Sequence, residues 1–173
     1  MRKMLLICVL ALALVGCKAE KSYETLADID IDPLEKNAWE IAADLPPELI
    51  SPVMQSQSGA CLYMCDEYTL TTFTTQSGDL DRTLLESTGF DTRSLSLMKT
   101  KKDGFERYEA VWSAVSETGD QVGRIAILDD GNYHYVLTAM TQADTAGDVS
   151  ALWQPIFRSF RIVEPGSQVN TGS

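Results

Sequence analysis

Two cysteines stand four residues apart in Cys61-Leu62-Tyr63-Met64-Cys65, the sharpest chemical feature of the chain. On a straight strand they share a face but lie ~13 Å apart, beyond the roughly 7 Å that a disulfide spans between Cα atoms. On a helical turn or tight loop, residues four apart come within about 6 Å and could bridge. Gly59 before the segment and Asp66-Glu67 after it suit such a turn. Three chemistries stay open: a structural disulfide between Cys61 and Cys65, unpaired thiols, or a soft-ion site in which both thiolates and Met64, with Met54, hold Cu(I). The spacing is not the Cys-x2-Cys of a disulfide oxidoreductase.

The other chemical groups are scattered. His134 is the one histidine, which excludes a multi-histidine zinc site. Without a Gly-x-Ser-x-Gly elbow it also has no obvious nucleophile to serve. It lies between Tyr133 and Tyr135 and on the opposite strand face from them, so it reads as a cross-strand surface or groove residue. Tyr108, Trp112, Tyr133 and Tyr135 could line a concave ligand face, although aromatics on paired strands more commonly build a core. Trp153 falls off the stripe of Val149, Leu152 and Ile156, which leaves it partly exposed as a partner anchor. Asp129-Asp130 reads as a turn. No phosphate loop or dinucleotide fingerprint is present, and no catalytic residue, resident metal or cofactor is assigned; Cu(I) is the remote alternative.

The N-terminus carries an address. Arg2-Lys3 precedes an apolar run from Met4 to Val15, and Ala11, Ala13 and Gly16 are small. A basic start, an apolar stretch of about 7–15 residues and small residues before a cut make a secretory signal, too short to span a bilayer that needs about 20 helical residues. Leu14-Val15-Gly16-Cys17 closes that run and resembles the bacterial lipobox. The resemblance implies cleavage after residue 16, a diacylglyceryl thioether on Cys17 and acylation of its new amine. Cys8 leaves with the signal, so Cys61 and Cys65 remain, in a compartment that permits disulfides. Lys18 stands where an Asp commonly retains Gram-negative lipoproteins at the inner membrane. In such a host the expected location is the periplasmic face of the outer membrane.

Composition bounds the rest. The chain has 173 residues, with 14 Lys and Arg against 25 Asp and Glu, for a net charge of −11. Loss of Arg2 and Lys3 takes the mature net charge to −13. No basic stripe for nucleic acid is visible. The acidity opposes docking on anionic headgroups and favours a basic partner, such as a toxin or enzyme that an immunity or inhibitor lipoprotein would block. Residues 17–38 read as a lipidated N-terminus and acidic tether. Asp28, Asp30 and Asp32 are spaced like the start of a calcium loop, but Pro33 stands where that loop needs Gly and Trp39 where it needs a bidentate Glu. Residues 39–164 form one expected domain, and 165–173 a loose tail.

The elements that must position these groups are mostly strands. A short strand is expected over 39–43, then runs at 60–65 and 68–75. Asp79 caps a helix through Thr88 with Leu80, Leu84 and Leu85 inward and Gly89 as its stop. A strand follows at 94–100, with Lys101-Lys102-Asp103-Gly104 as a polar turn. Three long strands, 105–116, 122–128 and 133–141, make a meander, with Tyr108, Ala110, Trp112 and Ala114 on one face of the first. A helix to Ser159 carries Val149, Leu152, Ile156 and Phe160 in one stripe, with Pro155 expected to kink or shorten it. Residues 160–163 close as a strand. The fold class is α+β: an antiparallel sheet with a three-stranded meander, packed by two helices.

This order resembles the PsbP-like fold, including the DcrB-like bacterial lipoproteins. The residues that carry the resemblance are the meander from Phe105 to Thr141 and the ending Leu152-x3-Ile156-x2-Ser159-Phe160-Arg161-Ile162. It implies a small sandwich of sheet and helices, and binding or assembly rather than catalysis. The expected function is that of a non-catalytic envelope lipoprotein that binds a protein partner or small ligand. A thiol redox or Cu(I)-handling factor using Cys61 and Cys65 is the alternative from another class.

Overall fold

A computed structural model describes residues 38–116 and 119–165. The expected signal, Cys17 and most of the tether fall in 1–37, outside the described residues, as do 117–118 and the tail from 166. The strands are β1 (Glu40–Ala42), β2 (Met54–Gln55), β3 (Cys61–Met64), β4 (Thr69–Gln76), β5 (Met98–Lys102), β6 (Phe105–Ser116), β7 (Gly119–Asp129), β8 (Tyr133–Gln142) and β9 (Arg161–Val163). The helices are α1 (Leu80–Thr88) and α2 (Ala146–Ser159), with a 3-10 turn at Pro47–Leu49.

Seven strands form one sheet in the order β2-β3-β4-β8-β7-β6-β5, and β1 pairs with β9 apart from it. All pairs are antiparallel. The strand that closes the sequence therefore fastens the first strand of the domain, with Ile41 opposite Ile162. The α+β architecture with its meander and two helices is the one the sequence pattern calls for.

The helices cover opposite faces of the sheet. Leu70, Ala126, Leu128, Tyr135 and Leu137 pack beneath Val149, Trp153, Ile156 and Phe157 of α2. Ala110, Trp112, Ile125, Ile127 and Val136 pack with Leu84 of α1 on the other side. Neighbours in sequence, such as Ala126 and Ile127, thus enter different cores. β8 runs down the middle and is buried at every residue from 133 to 139.

Local chemistry explains most boundaries. The Asp79 carboxylate accepts from the Arg82 amide at 2.9 Å, and Gly89 ends α1 at φ 80°. The inward face of α1 differs from the expected one: Leu84 is buried but Leu85 is exposed, and Thr83 takes the second inward place. The β5–β6 turn uses only Asp103 and Gly104, both at positive φ, as a two-residue hairpin turn requires. Lys101 and Lys102 belong to the strand rather than to the turn, and β5 starts at Met98, not at 94.

α2 runs through Pro155 without a break. Pro155 is exposed, so solvent satisfies the carbonyl that its missing N–H leaves behind. The buried stripe of α2 is rotated from the expected one. Trp153 is buried and Leu152 exposed, because the face against the sheet runs Val149–Trp153–Ile156–Phe157. Trp153 is core, in edge contact with Tyr68 at 6.3 Å, and is no surface anchor.

One close approach has a sharp consequence. Gly123 lies opposite Trp112 in the β6–β7 pairing, and a Cβ at Gly123 would stand 2.3 Å from the indole. The indole occupies the space that any side chain would need. Gly123→Ala is expected to destabilise the fold by about 1–3 kcal/mol through overpacking, measured by urea unfolding. In a Trp112→Ala background the same change should lose most of that effect.

Candidate functional site

The residues singled out by sequence do not come together. Cys61 starts β3, and the chain stays extended to Cys65, whose amide bonds the Tyr68 carbonyl across a tight turn at 3.1 Å. Both cysteines are free; each thiol donates to a nearby backbone carbonyl at 3.5 Å. This is the straight-strand geometry that separates residues four apart by ~13 Å, so no disulfide joins them. Tyr63 and Cys65 pack against the core on the α2 side. Strand alternation turns Leu62 and Met64 the other way, and Met54 pairs with Leu62. The thiols and the methionine sulfurs expected to share a copper ion therefore lie on opposite faces. Burial also pushes the Cys65 thiol pKa up, away from thiolate. Among the described residues no group of three or more His, Cys, Asp and Glu is placed to hold a metal.

The four aromatics are split in the same way. Tyr108 and Trp112 serve the α1-side core, Tyr133 and Tyr135 the α2-side core. They line no shared ligand face. Tyr135 is a structural tie: its hydroxyl donates to Asp130 at 2.8 Å and accepts from the Trp39 amide at 3.0 Å. Asp130 also accepts from the amides of Asn132 and Tyr133, so the acidic pair is a turn clamp.

His134 is not at the surface. It is 2% exposed, with Nδ1 2.8 Å from the Thr83 hydroxyl and Nε2 3.6 Å from the Asp129 carboxylate. Carboxylate, imidazole and hydroxyl stand in the order of a nucleophile and its base. But Thr83 is itself 3% exposed, inside the α1–sheet contact. No substrate reaches that hydroxyl, and the chain instead pins α1 to β8. Burial holds the His134 pKa below its ordinary value, against the opposing pull of Asp129.

The site that sequence reasoning missed lies on the α2 face, where the end of the helix meets β5, β6 and β7. A cleft of about 520 Å³ is lined by Lys101, Lys102, Arg107, Arg124 and Arg158, with Glu109, Gln154 and Phe157. Lys101 borders it, but its pairing with Glu106 turns its side chain to the other sheet face; four cations against one carboxylate converge there in a chain whose net charge is −11. Part of this charge is structural. The last carbonyls of a helix have no partner within it. Lys102 Nζ donates to the carbonyls of Arg158 and Phe160, and Arg107 Nη2 to that of Phe157 at 2.7 Å. Positive charge at this end also suits the helix dipole.

Arg107 is only 5% exposed and must be compensated. Glu109 does this, accepting from Arg107 Nε at 2.7 Å and from Arg124 Nη2 at 2.8 Å. Burial alone would raise the Glu109 pKa, but the two guanidinium groups prevail and hold it below its ordinary value. The Arg124 guanidinium lies 4.6 Å from the centre of the Phe157 ring, and that of Arg107 5.7 Å from Phe160. Burial and the neighbouring Arg107 push the Lys102 pKa down. One donor is left over: Arg107 Nη1 is buried and has no hydrogen-bond partner. Chemically, such a cleft is suited to bind and orient anions.

A sequence signal for this site existed. Arg107 and Glu109 alternate with the apolar face of β6, and Arg124 interrupts the apolar β7 between Gly123 and Ile125. Their convergence with Lys102 and Arg158 required the strand register and the docking of α2.

No protein-family model matches this sequence, and no curated protein matches it significantly. Solved structures are similar in fold. LpqN of Mycobacterium tuberculosis, a protein involved in cell envelope biogenesis, has 13% identity and a TM-score of 0.52, over 75% of this chain and 86% of that one. The Ran-binding protein Mog1p of Saccharomyces cerevisiae has 14% identity and a TM-score of 0.49, over 72% and 90%. PsbP of the cyanobacterium Synechocystis has 11% identity and a TM-score of 0.49, over 75% and 95%. The likeness to LpqN is one of fold alone. PsbP, whose fold the sequence pattern resembles, stands among these neighbours.

Glu109→Gln is expected to lower unfolding free energy by about 3 kcal/mol or more in urea titration, because it leaves two guanidinium groups without their counter-ion. His134 gives a pH dependence. Its native pKa lies below the ordinary value of about 6.5, so below that pH the unfolded chain takes up a proton that the native state refuses. The stabilising contribution is full above that pH and is lost as pH falls through the lowered native value. Stability should therefore drop from pH 7 to pH 5, and the slope over that range should flatten in His134→Gln.

Proposed function

We propose that this protein is a non-catalytic, lipid-anchored binding protein of the cell envelope, with the cationic cleft as its binding surface. The observation that carries the reading is the cleft: open, built from convergent donors on a rigid sheet and helix, and of a volume usual for ligand sites. In the carboxylate–imidazole–hydroxyl chain, by contrast, the hydroxyl and the imidazole are buried. The cleft also reverses the sign of the expected partner. Net charge points to a basic partner, but the local field at this site favours an anionic one.

The address rests on the sequence at 14–17. Two or three acyl chains on Cys17 hold far more durably than one, and a mature net charge of −13 makes lipid rather than headgroup attraction the anchor. No helix among the described residues is long and apolar enough to cross a membrane. A thiol redox or Cu(I) role draws no support from thiols and methionines on opposite strand faces.

The protein is expected in the membrane fraction, extractable only by detergent, and Cys17→Ser should move it to the soluble fraction. Full membrane retention of Cys17→Ser would refute the anchor.

A further inference from the structure

The cleft does not end at its charges. β6 places Arg107, Glu109 and Val111 on one face, because alternate residues share a face. Val111 pairs across with Arg124, and Met98 with Glu109. Val111 is 61% exposed and Met98 54% exposed, although both belong to the sheet face that α2 covers further along. Val115, two positions beyond Ser113, continues the strip and is also exposed. A cationic pocket thus opens onto a bare apolar strip of the same sheet.

The cations are also not all consumed. Lys102 and Arg107 Nη2 serve the helix carbonyls, and Glu109 engages Arg107 Nε and Arg124 Nη2. Arg158 remains without an ion pair among the described residues, on the rim of the same cleft. The buried Arg107 Nη1 adds an unused donor. A buried guanidinium nitrogen left unpaired is destabilising unless a ligand supplies the acceptor.

We propose that the cleft binds a single-chain anionic amphiphile, its phosphate or carboxylate head held by Arg158 and the Arg107–Arg124 pair, and its alkyl chain lying over Met98 and Val111. The inference rests on the binding role proposed above and names the ligand class. The charges fix the head and fit an oxyanion, which arginine can grip with two donors. The apolar strip gives affinity by leaving water, and it has no counterpart in a site for a bare anion.

The Cys17→Ser protein, which carries no acyl chain of its own, allows the test by titration calorimetry. The probes are dodecyl phosphate below its micelle concentration, inorganic phosphate and the uncharged dodecyl maltoside. Dodecyl phosphate is expected to bind at least tenfold more tightly than either of the others. Arg158→Ala should weaken both phosphate probes about tenfold. Met98→Ser with Val111→Ser should weaken dodecyl phosphate alone. All three residues lie at the surface, and unchanged circular dichroism would establish intact folding. Inorganic phosphate binding as tightly as dodecyl phosphate, and depending on Arg158, would overturn the amphiphile and keep the binding role. Equal binding of dodecyl phosphate and dodecyl maltoside would overturn the charged head. Failure of every probe would remove the amphiphile and the cleft's binding role together.

Discussion

The carbonyl groups at the end of α2 set the terms for this molecule. A helix docked on a sheet leaves its final carbonyls without partners, and burial forbids leaving them so. Here the sheet supplies the donors: Lys102 from β5 and Arg107 from β6 reach the carbonyls of residues 157, 158 and 160. This fixes where α2 sits and which of its faces is inward. It also brings buried positive charge into the contact, which in turn requires Glu109, and Glu109 then holds Arg124. The cationic cleft is the outer margin of this arrangement. Its strength as a site comes from being built into the packing of the fold, so that its charges are held in place before any ligand arrives.

The two faces of the sheet handle polar groups in opposite ways. On the α1 side, Thr83 and His134 are buried in the core, with Asp129 at its margin, and burial holds the imidazole pKa down. On the α2 side, Arg107 and Arg124 hold the Glu109 carboxylate ionised, and the set continues outward to Arg158. The first arrangement has the residue types of a catalytic site and the access of a core; the second has an opening. Access separates the two roles here more clearly than residue type does. The same contrast disposes of the Cys61, Met64 and Cys65 cluster, whose sulfurs are adjacent in sequence and divided by the pleat.

What could be read from residues alone follows the local periodicities. The meander, the Asp79 cap, the Gly89 stop and the closing strand are each encoded within a dozen residues, and each stands where the pattern places it. The signal-like segment and the lipobox-like tetrapeptide are equally local. Errors arose where the neighbour across space decides. Trp153 and Leu152 exchanged places because a helix of 14 residues has more apolar positions than its docked face can hold, and the sheet selects among them. His134 has the sequence pattern of a surface or groove residue because β8 alternates like a half-exposed strand, yet both faces of the strand are covered.

The sequence by itself determined the α+β class, the antiparallel meander, and an acidic chain whose net charge gives no hint of a basic site. Those properties depend on period, turn chemistry and composition, which are short-range. Only the tertiary structure decided that Lys102 of β5, the arginines of β6 and β7 and the end of α2 meet in one cleft. It alone also decided that Tyr133, Tyr135 and Trp153 are core and that the two cysteines are held apart. The physical reason is that a site made by strand register and helix docking joins residues up to 56 positions apart, from Lys102 to Arg158. No pattern within a turn or a strand carries that information.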